Sequence, residues 1–292
     1  MTGILLIDKP ADWTSNDVVQ KLRGILHERR VGHAGTLDPM ATGLLTVFIG
    51  RATRAVEFAE QDAKRYRAKL RLGITTDTQD STGRILSENE ANVTPADLEQ
   101  VLARFRGEIR QTPPMYSAVK VNGERLYKLA RRGKTVERAE RRITIHSLEL
   151  LGQEGDDWIL DIRCSKGTYI RTLCHDIGEA LGCGGCMSAL RRTEAGCFTV
   201  EEAHTLEETA RAADDGCVEK LLLPTDLLFQ NYPAWTVSAA AEERIRNGNS
   251  IRISEKSPIL RLYSEKGEFL ALGQNTDGEC RTIKSFFEVL TT

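Results

Sequence analysis

Nowhere in the 292 residues do eighteen apolar side chains run together, which excludes a conventional membrane-spanning helix. The opening Met1-Thr2-Gly3-Ile4-Leu5-Leu6-Ile7-Asp8-Lys9 lacks the basic start and long apolar stretch of a secretory signal, so a cytoplasmic location is expected. Internal repeats and low-complexity tracts are lacking too, so disorder, collagen and coiled coil fail as whole-chain descriptions. The cysteines are seven, an odd number in a long chain, and fit reduced thiols better than a disulfide framework. Cys183-Gly184-Gly185-Cys186 has no second Cys or His pair at zinc spacing, so a tight turn is expected and no metal. A large net charge is also missing, because 40 Lys and Arg stand against 42 Asp and Glu. A hydrophobic fraction of 40% and a mean hydropathy of −0.33 describe an ordinary globular protein, long enough for about two domains.

The near balance conceals a local excess. Between Thr112 and Arg142 nine basic residues face three acids, a net of +6, so the remainder of the chain carries −8. That is the footprint expected for a polyphosphate ligand, with Lys120, Arg125, Lys128, Arg131, Arg132 and Lys134 as phosphate-contact candidates and Tyr116 and Tyr127 near them for stacking. A solvated helix face would carry the same charges.

Periodicity sketches the organisation. Gly3 to Ile7 reads as a buried strand, and Val18, Val19, Leu22, Ile25 and Leu26 share one helical face behind a Thr14 or Ser15 cap. A glycine-punctuated loop from Arg29 to Gly43 leads to a strand, Leu44 to Ile49, and a helix, Thr53 to Gln61. Tyr66 to Leu72 alternates as a half-buried strand, Ile74 to Gly83 is rich in turns, and Thr94-Pro95-Ala96-Asp97 opens a helix with cap, proline and first-turn acid in order. Trp158 to Cys164 reads as a strand that turns at Ser165-Lys166-Gly167 into a helix, Thr168 to Leu181. A boundary near Asn231 to Pro233 divides the chain. Residues 1–230 form an α/β domain of α+β type, with a mixed or antiparallel sheet and flanking helices, and carry the basic insertion at about 112–142. Residues 233–292 form a small β-rich domain, with a helix over Ser238 to Asn247 and strands Ile251 to Ile253, Ile259 to Tyr263, Phe269 to Leu272 and Thr282 to Phe287.

The densest chemical signal is Gly32-His33-Ala34-Gly35-Thr36-Leu37-Asp38-Pro39-Met40-Ala41-Thr42-Gly43. Pro39 restricts Asp38 to extended geometry, so a stiffened loop presents one carboxylate. A phosphate-binding P-loop needs Gly-Lys-Ser or Gly-Lys-Thr after its turn, and this loop continues Gly43-Leu44. A two-carboxylate glycosidase has no second acid within the motif, although Asp8 or a distant acid could approach in space.

Four segments in collinear order, over residues 1–230, are similar to the TruB family of pseudouridine synthases: this loop, Leu5-Leu6-Ile7-Asp8-Lys9-Pro10, Thr112-Pro113-Pro114-Met115-Tyr116-Ser117-Ala118 and Cys164-Ser165-Lys166-Gly167-Thr168-Tyr169-Ile170-Arg171-Thr172-Leu173. The resemblance implies isomerisation of the T-loop uridine of tRNA, position 55 in tRNA numbering, by base flipping. It implies no cofactor, no membrane and no obligatory protein partner, with a monomer expected. Asp38 is the implied essential carboxylate, acting as nucleophile toward ribose or base or as the base that removes a sugar proton. Arg171 is implied to pair with Asp38, orient it and keep it ionised. Tyr66 would lie against the uracil and help remove the C5 proton, Tyr169 and Leu190 would line the uracil pocket, and His33 would replace the extruded base in the RNA stack. Lys9 and Pro10 are implied to support the site, and the C-terminal part resembles the PUA-like RNA-binding domain appended in this family. Ala34, Thr46 and Cys186 depart from the family's usual Thr, Pro and His, which bears on recognition rather than on the aspartate. A guide-RNA-dependent relative and a tRNA-binding or folding module without turnover are the alternatives.

Overall fold

The computed structural model describes residues 1–121 and 123–288. The chain begins with β1 (Gly3–Lys9), α1 (Ser15–Leu26), β2 (Val31–Ala34), β3 (Thr42–Ile49), the short α2 (Val56–Ala59) and β4 (Lys64–Leu72). A ribbon of β5 (Ile74–Thr76) and β6 (Ile85–Glu88), α3 (Pro95–Leu102) and β7 (Gly107–Gln111) follow. The basic segment holds β8 (Lys120–Val121), β9 (Glu124–Arg125) and α4 (Leu126–Ala130). Then come β10 (Arg141–Glu154), β11 (Asp157–Cys164), α5 (Ile170–Leu181), β12 (Gly185–Ala195), β13 (Phe198–Thr199) and α6 (Leu206–Asp214). Among the described residues the chain closes with β14 (Ala234–Thr236), α7 (Ala239–Arg246), β15 (Ile251–Arg252), β16 (Ile259–Tyr263), β17 (Phe269–Thr276) and β18 (Glu279–Ser285).

Local chemistry explains the helix starts. Thr14 caps α1 and Thr94 caps α3, each in a reciprocal capping box with the aspartate three residues on, Asp17 and Asp97, and Pro95 occupies the first turn of α3. Two expectations need correction. The Arg29 to Gly43 loop is not free of regular structure, since Val31–Ala34 pairs with β3 and buries Val31 and Ala34. Thr53 to Gln61 is no single helix, because a 3-10 turn over Gly50–Ala55 precedes the four residues of α2.

The main sheet runs β1-β3-β12-β4-β11-β10-β7, with β2 beside β3 and β13 beside β12, and is mixed: β12 and β3 are parallel and the other pairs antiparallel. One core joins β4, β10, β11 and β12 to α3 and α5 through Leu70, Leu98, Leu160, Leu173 and Ile177. Another seats α1 and α6 on β1 and β3 through Val18, Leu22 and Leu206. A second sheet, ordered β14-β16-β17-β18-β15, has its own core around Leu260, Leu262 and Leu270. It leans on the first through Phe229, whose ring lies 5.9 Å from Phe269 and 5.7 Å from Phe286.

Candidate active site

Sheet register lines up residues far apart in sequence. Lys9 pairs with Gly43, Gly43 with Arg192, Arg192 with Tyr66 and Tyr66 with Ile162. Residues aligned across strands project to one face at about 4.8 Å per strand. Gly43 must be glycine: its φ is +97°, and a Cβ there would strike the Arg192 carbonyl.

The loop carrying Asp38 crosses this face and is fastened from below. Leu37 N–H donates to Ser15 Oγ at 2.9 Å, Ala41 N–H to the Asp38 carbonyl at 3.1 Å and Asp12 N–H to the Pro39 carbonyl at 2.9 Å. Lys9, fully buried, donates Nζ to the carbonyls of Pro10 (2.8 Å), Trp13 (2.6 Å) and Pro39 (3.1 Å). Burial lowers its pKa to about 8, with Asp12 and Asp38 opposing the fall. Lys9 thus ties the loop through backbone carbonyls, and exposed Pro10 contributes one of them.

Asp38 meets Arg171 as expected. Arg171 Nε donates to Oδ2 at 2.9 Å and Nη2 to Oδ1 at 3.1 Å, the bidentate fork that suits a carboxylate. Arg171 sits in the first turn of α5 with 6% of its side chain exposed, while Asp38 keeps 35%, so the carboxylate has an open side. The guanidinium is held by more than Asp38. Nη1 donates to the Thr78 carbonyl at 3.1 Å, Nη2 to the Tyr116 carbonyl at 2.8 Å, and Asp80 Oδ2 lies 3.4 Å from Nη1. Burial raises the Asp38 pKa, Arg171 pulls it down and Asp80 pushes it up, with the net direction upward. Arg171 therefore orients Asp38 without fully offsetting its burial.

Asp80 was not legible as a site residue. Its Oδ1 accepts from Thr78 Oγ1 (2.8 Å), Thr82 N (3.0 Å) and Thr82 Oγ1 (2.6 Å), which turns Oδ2 toward Arg171. The hydroxyls of Thr78, Ser81 and Thr82 around one aspartate are the sequence signal for such a turn. Asp8, the other acid considered, is occupied by Arg191 at 2.7 Å and 3.0 Å.

Leu190 belongs to the apolar cluster that contains Leu37 and Ala41, on either side of Asp38 in the chain, and Tyr66 packs against the same cluster. Burial raises the Tyr66 phenol, opposed first by the Arg192 guanidinium beside it. Tyr169 precedes α5, where no side chain caps the helix. Gln111 holds it instead, Nε2 donating to the Tyr169 carbonyl at 3.0 Å and Oε1 accepting from its N–H at 2.8 Å. His33 stands on β2, its pKa lowered by burial and by Arg192, and its buried Nδ1 has no partner among the described residues.

Lys120, Arg125, Lys128, Arg131, Arg132 and Lys134 are all exposed. Arg132 pairs with Glu124 at 2.8 Å, and Arg131 stacks over the Tyr127 ring at 5.5 Å. Cys183 and Cys186 are buried thiols, and burial pushes Cys186 up to about 11. No group of three or more potential metal ligands occurs among the described residues, and no helix among them is long and apolar enough to cross a membrane.

A carboxylate oriented by a buried arginine, open on one side, beside a phenol and an aliphatic wall can hold a flat ring and attack or deprotonate it. Residues 23–170 match the TruB family pseudouridylate synthase N-terminal domain, and residues 171–230 match the tRNA pseudouridylate synthase B C-terminal domain. A tRNA pseudouridine synthase B of Pseudomonas fluorescens is 44% identical over 94% of this chain and 92% of its own length. One of Syntrophomonas wolfei is 46% identical over 94% and 93%.

The chain belongs to the TruB family.

Its TruB fold is shared with a solved chain described as the crystal structure of a Cbf5-Nop10-Gar1 complex, with a TM-score of 0.75 and 28% identity over 98% of this chain and 85% of that one. As a TruB member it is an isomerase. Asp38 and Arg171 are joined directly, Tyr66 and Leu190 share one apolar cluster, Tyr169 lies two residues before Arg171, and the basic segment reaches Arg171 through the Tyr116 carbonyl.

Proposed function

We propose that this enzyme isomerises the T-loop uridine of tRNA, position 55, to pseudouridine, with Asp38 as the essential carboxylate. The observation that carries the site assignment is the bidentate Arg171–Asp38 pair, on a loop whose backbone is fastened by Lys9 and Ser15. The reaction breaks the bond from N1 to C1′, turns the base and joins C5 to C1′. Product and substrate are isomers, so no co-substrate is needed.

C1′ and C5 cannot be reached in a stacked base, so the uridine is extruded, at a cost of a few kcal/mol that RNA contacts offset. Here His33 fills the place left in the RNA stack, Tyr66 lies against the uracil, and Tyr169 and Leu190 line its pocket. Arg171 holds the Asp38 carboxylate while the base is free, and the closed apolar wall keeps water from it. The exposed cations between Lys120 and Lys134 lie along the phosphates of the T arm. Residues 233–292 act as the PUA-like RNA-binding domain, and the enzyme works as a cytoplasmic monomer.

The test is chemical mapping of pseudouridine in tRNA and in a bare T-arm hairpin after incubation with the purified chain and with Asp38→Asn. Modification of that one uridine by the wild type alone is the expected result. A requirement for a guide RNA would replace this reading with that of a guide-dependent enzyme, and binding without modification would leave an RNA-binding module.

A further inference from the structure

Arg192 retains 1% of its exposure, so its guanidinium is out of water. Nε donates to the Leu44 carbonyl at 2.7 Å and Nη1 to the Gly35 carbonyl at 3.0 Å, one on each side of the loop that carries Asp38. The buried Nη2 has no hydrogen-bond partner among the described residues. Other cations surround it, Lys9 across the register row and Lys64 on β4, with His33 on β2. A desolvated guanidinium with an unused N–H and no carboxylate is costly, and a fold built for stability alone would pair or replace it.

Its cross-strand neighbour is Tyr66. The groups facing the phenol are Arg192 from β12, the Cys164 thiol at the end of β11 and Asp38 from the loop. Burial holds the Cys164 thiol up at about 11, leaving it neutral, and Asp38 is an acid. Arg192 is the cation of the three.

Resting on the proposed uridine isomerisation, we propose that Arg192 is the positioning residue for loss of the C5 proton, its Nη2–H, without a partner among the described residues, turning to the Tyr66 oxygen as that oxygen accepts the proton. Once C5 is joined to C1′, the C5–H bond breaks, the proton passes to the Tyr66 oxygen and the electron pair returns to the ring. Tyr66 starts as a neutral phenol, so its own proton passes to N1 as the C5 proton arrives, and the phenol is regenerated with no net gain or loss of protons. The two remaining bonds of Arg192 keep Gly35 and Leu44, and so the loop, in register with that phenol.

The experiment compares two hairpin substrates under single turnover. Uridine at the target position must lose its C5 proton; 5-fluorouridine has none, and so reports N1–C1′ breakage and C5–C1′ joining alone. Arg192→Gln should slow pseudouridine formation by about a hundredfold, the scale of a positioned general base. Rearrangement of 5-fluorouridine, which feels only the loosened loop, should fall by no more than about tenfold, and Arg192→Lys, which keeps the charge, should recover part of the loss on uridine. Equal falls on both substrates would mean that Arg192 acts only through the Asp38 loop, and a normal rate on both would leave it scaffold; either overturns the proposal. Melting curves establish that the variants are folded, and Arg192→Met replaces the glutamine variant should it not fold. A wild-type chain inactive on both hairpins would instead refute the functional reading.

Discussion

Replacing Asp38 by Asn separates chemistry from architecture, because its two effects on stability oppose each other. The carboxylate now accepts two donors from Arg171, at 2.9 Å and 3.1 Å. Asparagine can accept one and turns an amide N–H toward the other, losing a charge-assisted bond of roughly 1.5–3 kcal/mol. Against that stands the cost of holding a charge in a buried site, and the upward pKa of Asp38 means that this cost exceeds what Arg171 returns. A group whose folded pKa is raised supplies stability below its unfolded pKa and loses it as pH rises through the folded one. At neutral pH the neutral asparagine escapes that loss. Arg171 itself keeps the Thr78 and Tyr116 carbonyls and Asp80. The two effects oppose each other, so the melting temperature should stay within about 3 °C of wild type. RNA affinity should hold within about tenfold, or 1.4 kcal/mol. Turnover should fall by at least about 10⁴-fold, or 5.5 kcal/mol of barrier, since the proposed function gives the role of nucleophile or base on the sugar to Asp38. The assays are single-turnover pseudouridine mapping, filter binding and calorimetry on one preparation. Appreciable turnover, or a melting point several degrees lower with the rate preserved in the folded fraction, would refute the reasoning and make Asp38 a scaffold residue.

Arg171→Lys keeps the charge but loses the planar fork, so the single-turnover rate should fall by about a hundredfold, or 2.7 kcal/mol; unpaired Thr78 and Tyr116 carbonyls should also lower the melting point, and a lower melting point with a normal rate would mark a purely structural pair. Asp80→Asn removes a negative charge that disfavours Asp38 ionisation, so the acid limb of the pH–rate profile should move to lower pH, and an unmoved limb would exclude Asp80 from the Asp38–Arg171 network. Neutralising Arg131, Arg132 and Lys134 together should reduce the log–log salt slope of RNA binding by about 2 rather than 3, because Arg132 already faces Glu124. An unchanged slope would return those cations to a solvated face.

The caps and apolar faces were legible because their signals are local: Thr14 and Asp17, or Thr94, Pro95 and Asp97, lie within one turn of each other. The strands Arg141–Glu154 and Gly107–Gln111 went unread: the second is a short, largely exposed edge strand, and in the first the alternation of Ile143 and Ile145 with Leu148 and Leu150 is broken by a register shift between Ile145 and Ser147. Asp38 and Arg171 were legible through their motifs, yet the depth of Arg192 was not. Arg191 and Arg192 are adjacent and chemically identical, and only strand register decides that one pairs with Asp8 while the other enters the core.

Under the proposed function, Arg171 joins RNA contact to chemistry. Its Nη2 donates both to Asp38 and to the Tyr116 carbonyl, at the start of the basic segment. On the other flank of Tyr116, Arg138 donates to the Pro113 carbonyl at 3.0 Å, and Gln111, one strand end away, clamps Tyr169 beside Arg171. Under that reading, a phosphate that draws the exposed cations of the segment pulls on a backbone whose carbonyl shares a nitrogen with the Asp38 carboxylate. A guanidinium drawn toward one acceptor lengthens and bends its bond to the other, which weakens it. The arrangement makes the orientation of Asp38 depend on the seating of the basic segment, so cations that never touch the uracil can affect its turnover through one guanidinium.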